Sequence, residues 1–278
     1  KNKIKRIIYT SSVVVLGRSK IKEKLISIDH KESNIDIPYI EGKLLSEKWL
    51  RNLICDETDI RIVYPSWVVG NGDAKETPPN KFLHNLAKEK KSFSINGGVS
   101  VVGVDDVANG HFLTLINGKK NGRYILSGHN MEFKEISNEI SNRFYKKKKF
   151  FILPDICIKL GTRILGKFSP IDYRYAKAIV GTYSWYDCSK SFKEIGYNIQ
   201  SIEKTFDDIE KDINQKNLKL AIFNFKKYIY KPKKVNRTLY ITGFPGWLAN
   251  RTIEKIIDKI ENKKEFNFDK VVLLVQEK

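Results

Sequence analysis

The sequence has few of the residues from which disulfide frameworks and metal sites are built. It contains three cysteines, Cys55, Cys157 and Cys188, and their wide spacing fits neither a disulfide framework nor a metal pattern. Its four histidines also lack the spacing of metal ligands. No apolar run reaches the ~20 residues needed to cross a membrane, and no secretory signal is present. We therefore predict a cytoplasmic protein without a bound metal.

The chain also has a single methionine, Met131, and it begins with Lys1. We therefore expect the sequence to be an excerpt of a longer polypeptide. Hydrophobic residues make up 41% of the composition and aromatic residues 12%, which is ordinary for a protein that buries a core. At 278 residues, the chain has material for one large domain or two smaller ones.

The formal net charge is +19, and it comes mainly from lysine spread along the chain. Such a charge can attract nucleic acid or an anionic membrane surface. The dispersed lysines argue against a nucleic-acid-binding module, so no nucleic-acid partner is predicted. A lysine cluster at 146–149 precedes an amphipathic segment, which leaves a weak contact with a membrane surface as an open alternative. A second cluster at 226–234 has the composition of a linker.

Three residues near the start of the chain have the chemistry of a proton-transfer site. Tyr39 and Lys43 are four residues apart, which places both side chains on one helical face. A phenol titrates near ~10, and a neighbouring ammonium lowers that pKa, so Lys43 is expected to make Tyr39 a general acid or base. Ser12 follows an apolar run that predicts a buried strand, and ligands of open α/β sheets bind at such strand ends.

The segment that contains Ser11 and Ser12, residues 4–17, resembles the fifth strand and serine loop of extended short-chain dehydrogenases/reductases. The closest subgroup is that of epimerases/dehydratases, dihydroflavonol reductases and hydroxysteroid dehydrogenases. The resemblance implies that Ser12, Tyr39 and Lys43 are catalytic. It also implies that the cofactor is contacted by Ser11, Lys43, Pro65 and Ser66. Further landmarks follow in family order at 61–73, 101–108, 122–128 and 186–197.

A glycine loop that suits a dinucleotide lies far downstream, after a predicted strand. Its spacing is Gly243-x-x-Gly246-x-x-Ala249, and a helix pattern follows it. Such a loop lets backbone amides approach a pyrophosphate at the positive end of a helix. These three residues are therefore predicted to bind NAD or NADP. The residues that distinguish the two cofactors come after the second strand, where only 276–278 remain.

The order of these motifs predicts the domain organisation, because one reductase domain would carry its glycine loop before the Ser/Tyr/Lys set. We expect residues 1–215 to be the C-terminal two-thirds of a reductase domain. Residues 216–236 would then be a basic linker, and 237–278 the beginning of a second dinucleotide-binding domain. The predicted fold class is α/β, a partial Rossmann-type doubly wound parallel sheet with a small α-rich substrate domain and an incomplete second Rossmann unit.

This organisation predicts that the strand before Ser12 has an unpaired edge. The alternative is that the C-terminal segment completes the first sheet. The local patterns predict the following elements. Strands are expected near 6–11, 60–64, 123–126, 183–187, 238–242 and 271–275, and helices at 38–56, 80–90, 105–117, 132–144, 155–166, 170–180, 189–195, 202–214 and 247–260.

The predicted function is an NAD(P)-dependent oxidoreductase or epimerase that acts on a small carbonyl or hydroxyl compound. The mostly apolar run at 150–168, where relatives cover the substrate, favours a hydrophobic carbonyl compound over a sugar nucleotide. One alternative is a catalytically incomplete reductase-like domain kept for binding or oligomerisation, and another is a basic nucleic-acid- or membrane-binding module. A homodimer is a further open alternative.

Overall fold

The fold is described by a computed structural model. The described residues are 6–30, 37–54, 58–73, 75–88, 92–145, 150–165, 173–217, 238–244, 248, 251–256, 258 and 270–275. The strands are β1 Arg6–Thr10, β2 Asp59–Pro65, β3 Trp67–Val69, β4 Ser92–Ser94, β5 Gly98–Gly103, β6 Arg123–Leu126, β7 His129–Glu132, β8 Phe150–Ile152, β9 Tyr183–Ser184, β10 Thr238–Phe244 and β11 Lys270–Val275. The helices are α1 Pro38–Asn52, α2 Pro78–Lys88, α3 Val104–Asn117, α4 Phe133–Phe144, α5 Asp155–Leu165, α6 Tyr173–Ile179, α7 Ser189–Ile195 and α8 Ile202–Asn217.

The first sheet is parallel and has the strand order β1-β2-β6. Its central strand β2 is buried along its whole length, as expected for a parallel strand covered on both faces. Alternate side chains of β2 enter different core clusters. Ile60 and Ile62 pack in one with Tyr186, whereas Val63 packs in another with Val107. The predicted Rossmann-type α/β class is therefore confirmed for this part of the chain.

A second sheet is built around β5. β5 pairs with β3 and β9 in parallel and with β7 antiparallel. Its core includes Val101 together with Ile136 of α4 and Phe206 of α8. A short parallel pair, β4 with β8, leads into α5 and α6, which pack against each other. This helix-rich region corresponds to the predicted substrate part.

Most of the predicted elements are confirmed, with shifts of a few residues at their ends. The helix predicted at 170–180 runs from Tyr173 to Ile179, and the predicted 202–214 helix continues to Asn217, two residues into the predicted linker. Five short strands, β3, β4, β5, β7 and β8, were missed. Residues 218–237, which include most of that linker, lie outside the described residues.

The C-terminal strands β10 and β11 form a two-stranded parallel sheet of their own. β10 lies beside β1, but in the described part of the chain no backbone pairing joins the two. Ile256, in the helical residues after the glycine loop, packs against Phe112 and Leu115 of α3. Among the described residues, the free edge of β1 therefore lacks a hydrogen-bonded strand partner but is flanked by the C-terminal segment.

Candidate active site

The serine loop begins where β1 ends, at the carboxyl edge of the first sheet. The Ser11 backbone N–H donates to the Val63 carbonyl at 2.8 Å, which extends the β1–β2 pairing by one residue. Ser12 then caps a 3-10 helix, Val13–Leu16, and its hydroxyl accepts from the Val14 N–H at 3.5 Å. Val13 and Leu16 are buried, so the loop that presents Ser12 is anchored by the core.

Helix α1 carries the other two predicted catalytic residues on the face that meets this loop. Pro38 occupies the first turn, where its fixed φ and missing N–H cost nothing. Tyr39, Lys43 and Glu47 follow at intervals of four residues, which places their side chains on one face. The Tyr39 hydroxyl lies within hydrogen-bonding reach of the Ser12 side chain. The structure thus brings Ser12, Tyr39 and Lys43 together.

The electrostatics of Tyr39 differ from the sequence prediction. Desolvation raises the pKa of Tyr39, the Ser12 hydrogen bond lowers it, and nearby Tyr175 raises it, while the residue as a whole is 51% exposed. The expectation that Lys43 lowers this pKa was wrong for this arrangement. The Lys43 ammonium lies over the Tyr39 ring, 5.9 Å from its centroid, and not at the phenol oxygen, so desolvation outweighs any attraction between charges.

Lys43 is held by the end of β1. Its Nζ donates to the Thr10 carbonyl at 2.9 Å and lies 5.5 Å from the centroid of the Tyr9 ring. Burial lowers the pKa of Lys43, because no carboxylate in the described residues compensates its charge. The ammonium is therefore fixed in position yet keeps hydrogen-bonding capacity for a ligand.

Glu47 is a site residue that the sequence analysis missed. It is buried, and its carboxylate accepts from the Ser11 hydroxyl at 3.1 Å and from the Tyr64 hydroxyl at 2.6 Å. It also pairs with Arg51 on the same helix. Burial, with the adjacent Glu47 carboxylate, raises the pKa of Tyr64 to about 12, so Tyr64 remains a donor. Glu47 thus ties α1 to both β2 and the serine loop.

His111 fixes the last residue of β1 from the opposite side. Its Nδ1 lies 2.7 Å from the Val107 carbonyl, and its Nε2 lies 2.9 Å from the Thr10 hydroxyl. A carbonyl can only accept, so the neutral ring carries its proton on Nδ1 and accepts from Thr10 at Nε2. Burial lowers the pKa of His111 to about 4. The histidine is therefore a core residue.

The residues predicted to contact the nicotinamide end of the cofactor, Pro65 and Ser66, lie at the end of β2. Pro65 is buried as the last residue of that strand, and the Ser66 N–H donates to the Leu126 carbonyl at 3.2 Å. The Ser66 hydroxyl oxygen is buried without a hydrogen-bond partner. Because buried hydroxyls are normally paired, this group fits an amide or ribose hydroxyl of a bound cofactor.

The predicted pyrophosphate loop is only partly described. Gly243 lies in β10, next to its last residue, Phe244. Gly246 and Ala249 lie outside the described residues, so their predicted role in cofactor binding stays a prediction.

Helix α5, which was expected to cover an apolar substrate, exposes its apolar residues. Ile156, Leu160 and Ile164 are 73%, 55% and 73% exposed. The lysine cluster at 146–149 lies outside the described residues. None of the described helices combines the length and apolarity needed to cross a membrane. Among the same residues, no group of three or more His, Cys, Asp or Glu side chains is arranged to hold a metal ion.

Comparison with known proteins finds a curated relative and several related structures. A protein of Synechocystis sp. named "Putative dihydroflavonol 4-reductase" is 29% identical over 143 residues, which is 50% of this chain and 42% of the relative. The crystal structure of gox2253 superposes with a TM-score of 0.63 at 25% identity, over 76% of this chain and 67% of that one. No protein-family model matches the chain.

A third similar protein is the UDP-glucuronic acid 4-epimerase from Bacillus cereus, whose structure holds UDP-glucuronic acid and NAD. It superposes with a TM-score of 0.59 at 16% identity, over 77% of this chain and 63% of that one. The chain is thus homologous to the reductase-type relative and shares the epimerase fold, so the predicted resemblance is confirmed. It spans less than half of the curated relative's length. The missing first third and the second domain stay predictions.

Proposed function

We propose that this chain carries the catalytic part of an NAD(P)-dependent oxidoreductase or epimerase of the short-chain reductase type. The observation that carries the proposal is the convergence of Ser12, Tyr39 and Lys43 at the carboxyl end of β1. The relatives support the same class, since one is named a reductase and another is an epimerase with bound NAD. The substrate would be a carbonyl or hydroxyl compound.

The nicotinamide cofactor, when bound, would supply or accept the hydride. Pro65, Ser66 and Lys43 would hold its nicotinamide and ribose end, because Ser66 has an unused buried hydroxyl and Lys43 retains free donors. Ser11 lies behind this site, with its hydroxyl on Glu47; we propose that it supports the cofactor contacts from there. The orphaned Ser66 oxygen is the structural feature that favours a bound polar ligand at this position.

The side chains of the site account for the proton that accompanies the hydride. In the reducing direction Tyr39 would donate its phenol proton to the carbonyl oxygen, while the Ser12 hydroxyl hydrogen-bonds and orients that oxygen. The raised pKa of Tyr39, caused by burial, keeps the phenol protonated. The Lys43 ammonium, 5.9 Å from the centroid of the Tyr39 ring, would place a positive charge near the phenolate left behind.

We further propose that the pyrophosphate loop of Gly243, Gly246 and Ala249 belongs to a second dinucleotide-binding domain in a tandem protein. The parallel β10–β11 pair with helical residues between the strands supports this proposal. The alternative role, a reductase-like domain kept for binding or oligomerisation, would not require a phenol, a hydroxyl and an ammonium at one strand end.

The test is the Tyr39→Phe variant of the full-length protein. Loss of the acid/base group should lower the rate of hydride transfer by at least ~10²-fold, measured from nicotinamide absorbance at saturating cofactor. Tyr145→Phe is the matched control, because its hydroxyl donates to the Lys88 carbonyl and is not one of the groups gathered at the end of β1. An unchanged rate in Tyr39→Phe, with Tyr145→Phe also unchanged, would remove Tyr39 from the mechanism and favour the non-catalytic alternative.

A further inference from the structure

Helix α5 is attached to the protein by one face and exposes apolar residues on the other. Ile156, Leu160 and Ile164 follow one another at intervals of four residues, which places them on one helical face, and each is more than half exposed. Thr162 lies on the opposite face, where it is buried and donates to the Ile158 carbonyl at 2.9 Å. α5 also packs against α6. The three exposed residues, termed the α5 stripe, therefore lie on the side of the helix away from its buried face.

Strand β8 adds two more exposed apolar residues shortly before α5 in the chain. Phe151 and Ile152 are both exposed, although β8 is paired with β4. A single exposed apolar side chain is ordinary on a protein surface, but a group of large ones marks an interaction site. The exposed residues of β8 and the α5 stripe therefore indicate a surface that contacts a partner.

The charges beside the α5 stripe are positive. Lys159 and Arg163 each come three residues after a member of the stripe, which places both cations along one edge of it. Asp155 is the single acidic residue of α5, and its carboxylate accepts from the Asn96 amide at 2.9 Å, so it is tied to the protein. In the sequence, four consecutive lysines, 146–149, come directly before β8. The surface thus joins an apolar stripe to positive charge at its edge.

We propose that the α5 stripe rests on an anionic lipid surface, with its three side chains at the acyl boundary and Lys159 and Arg163 among the headgroups. An amphipathic helix with cations beside its apolar face binds in this way, parallel to the membrane plane. The long Lys and Arg stems lie along apolar surface while their charges reach the headgroups.

The charge of the chain favours lipid over a second copy of the protein as the occupant of this surface. Each copy has a formal net charge of +19, and a symmetric contact through α5 would bring Lys159 and Arg163 close to their counterparts. An anionic headgroup layer attracts the same cations. The surface contains none of the residues gathered at the end of β1, so this proposal does not rest on the proposed function.

Vesicle co-sedimentation tests the apolar part of the surface. The full-length protein, Leu160→Ser and Leu45→Ser are mixed with vesicles of phosphatidylcholine and phosphatidylserine. Leu45 is the matched control, because it is a similarly exposed leucine of another helix, at 60% against 55% for Leu160. We expect partitioning onto the vesicles to fall at least ~10-fold in Leu160→Ser and to stay within ~2-fold of the wild type in Leu45→Ser.

The cationic edge is tested with Arg163→Gln and with vesicles of phosphatidylcholine alone. One Lys or Arg near an anionic surface raises the affinity about 5-fold, so Arg163→Gln should lower binding to the mixed vesicles by that factor. The wild type should bind the vesicles without phosphatidylserine more weakly than the mixed ones. Lys193→Gln is the matched control, since it removes an exposed cation from α7, and its binding should equal that of the wild type.

Several outcomes would overturn the proposal. They are no binding by the wild type, equal losses in Leu160→Ser and Leu45→Ser or in Arg163→Gln and Lys193→Gln, and equal binding to the two kinds of vesicle. Sedimentation velocity without lipid tests the competing occupant, because a wild-type dimer that Leu160→Ser converts to a monomer would assign the α5 stripe to a second copy. If Leu160→Ser does not fold, Ile156→Ser removes an apolar residue from the same stripe and serves in the same comparison.

Discussion

Replacing Glu47 with alanine should destabilise the protein by about 2–4 kcal/mol. Two buried donors, the Ser11 and Tyr64 hydroxyls, would lose their acceptor, and each buried unsatisfied group costs about 1–3 kcal/mol. Arg51 would add little, because its side chain is 42% exposed and can return to water. Removing the Glu47 carboxylate also removes the cost of burying its charge, which offsets part of this loss of stability.

The measurement is urea unfolding of the wild type, Glu47→Ala, Glu47→Gln and Glu41→Ala. Glutamine keeps one acceptor oxygen, so its loss should be smaller, about 1–2 kcal/mol. Glu41 is the control, since it is an exposed acidic residue of the same helix. Catalysis should fall as well, because Glu47 holds the serine next to Ser12. If Glu47→Ala and Glu41→Ala agree within about 0.5 kcal/mol, Glu47 does not tie α1 to the sheet.

Two further changes test the surroundings of the site. The folded pKa of His111, about 4, lies below its ordinary value of 6.5, so its stabilising effect is complete above pH 6.5 and is lost as the pH falls towards 4. The stability difference between the wild type and His111→Asn should therefore shrink by roughly 3 kcal/mol between pH 7 and pH 4, as measured by denaturant unfolding; a constant difference would show that the ring is not buried neutral. Gly128→Ala should cost about 3 kcal/mol or more, because its Cβ would meet the Val101 carbonyl oxygen at 2.1 Å. The control is Gly42→Ala on α1, where an added Cβ would meet no atom within 4 Å, so its stability should rise by about 0.5–1 kcal/mol. Equal melting temperatures of the two variants would contradict the close packing at Gly128.

Local sequence patterns predicted the elements that are specified by residues close together in the chain. The spacing of Tyr39 and Lys43 fixed their common helical face, and the apolar run before Ser11 predicted β1. The strands β4 and β8 were missed because each has three residues, too few to show a period, and each is specified by its distant partner. Glu47 was missed because an acidic residue within a helix usually faces solvent. Only the positions of Ser11 and Tyr64 reveal its role.

The pairing of Ser19 with Tyr183 and of Ile26 with Tyr186 has a consequence for how the site is assembled during synthesis. Both bridges join segments 160 or more residues apart in the chain, and closing so long a loop carries an entropic cost that slows folding. The serine loop leaves the ribosome 160 or more residues before the segment with which Ser19 and Ile26 pair. The nascent chain therefore carries Ser12, Tyr39 and Lys43 through that length of synthesis before the pairing that holds the far side of the serine loop can form.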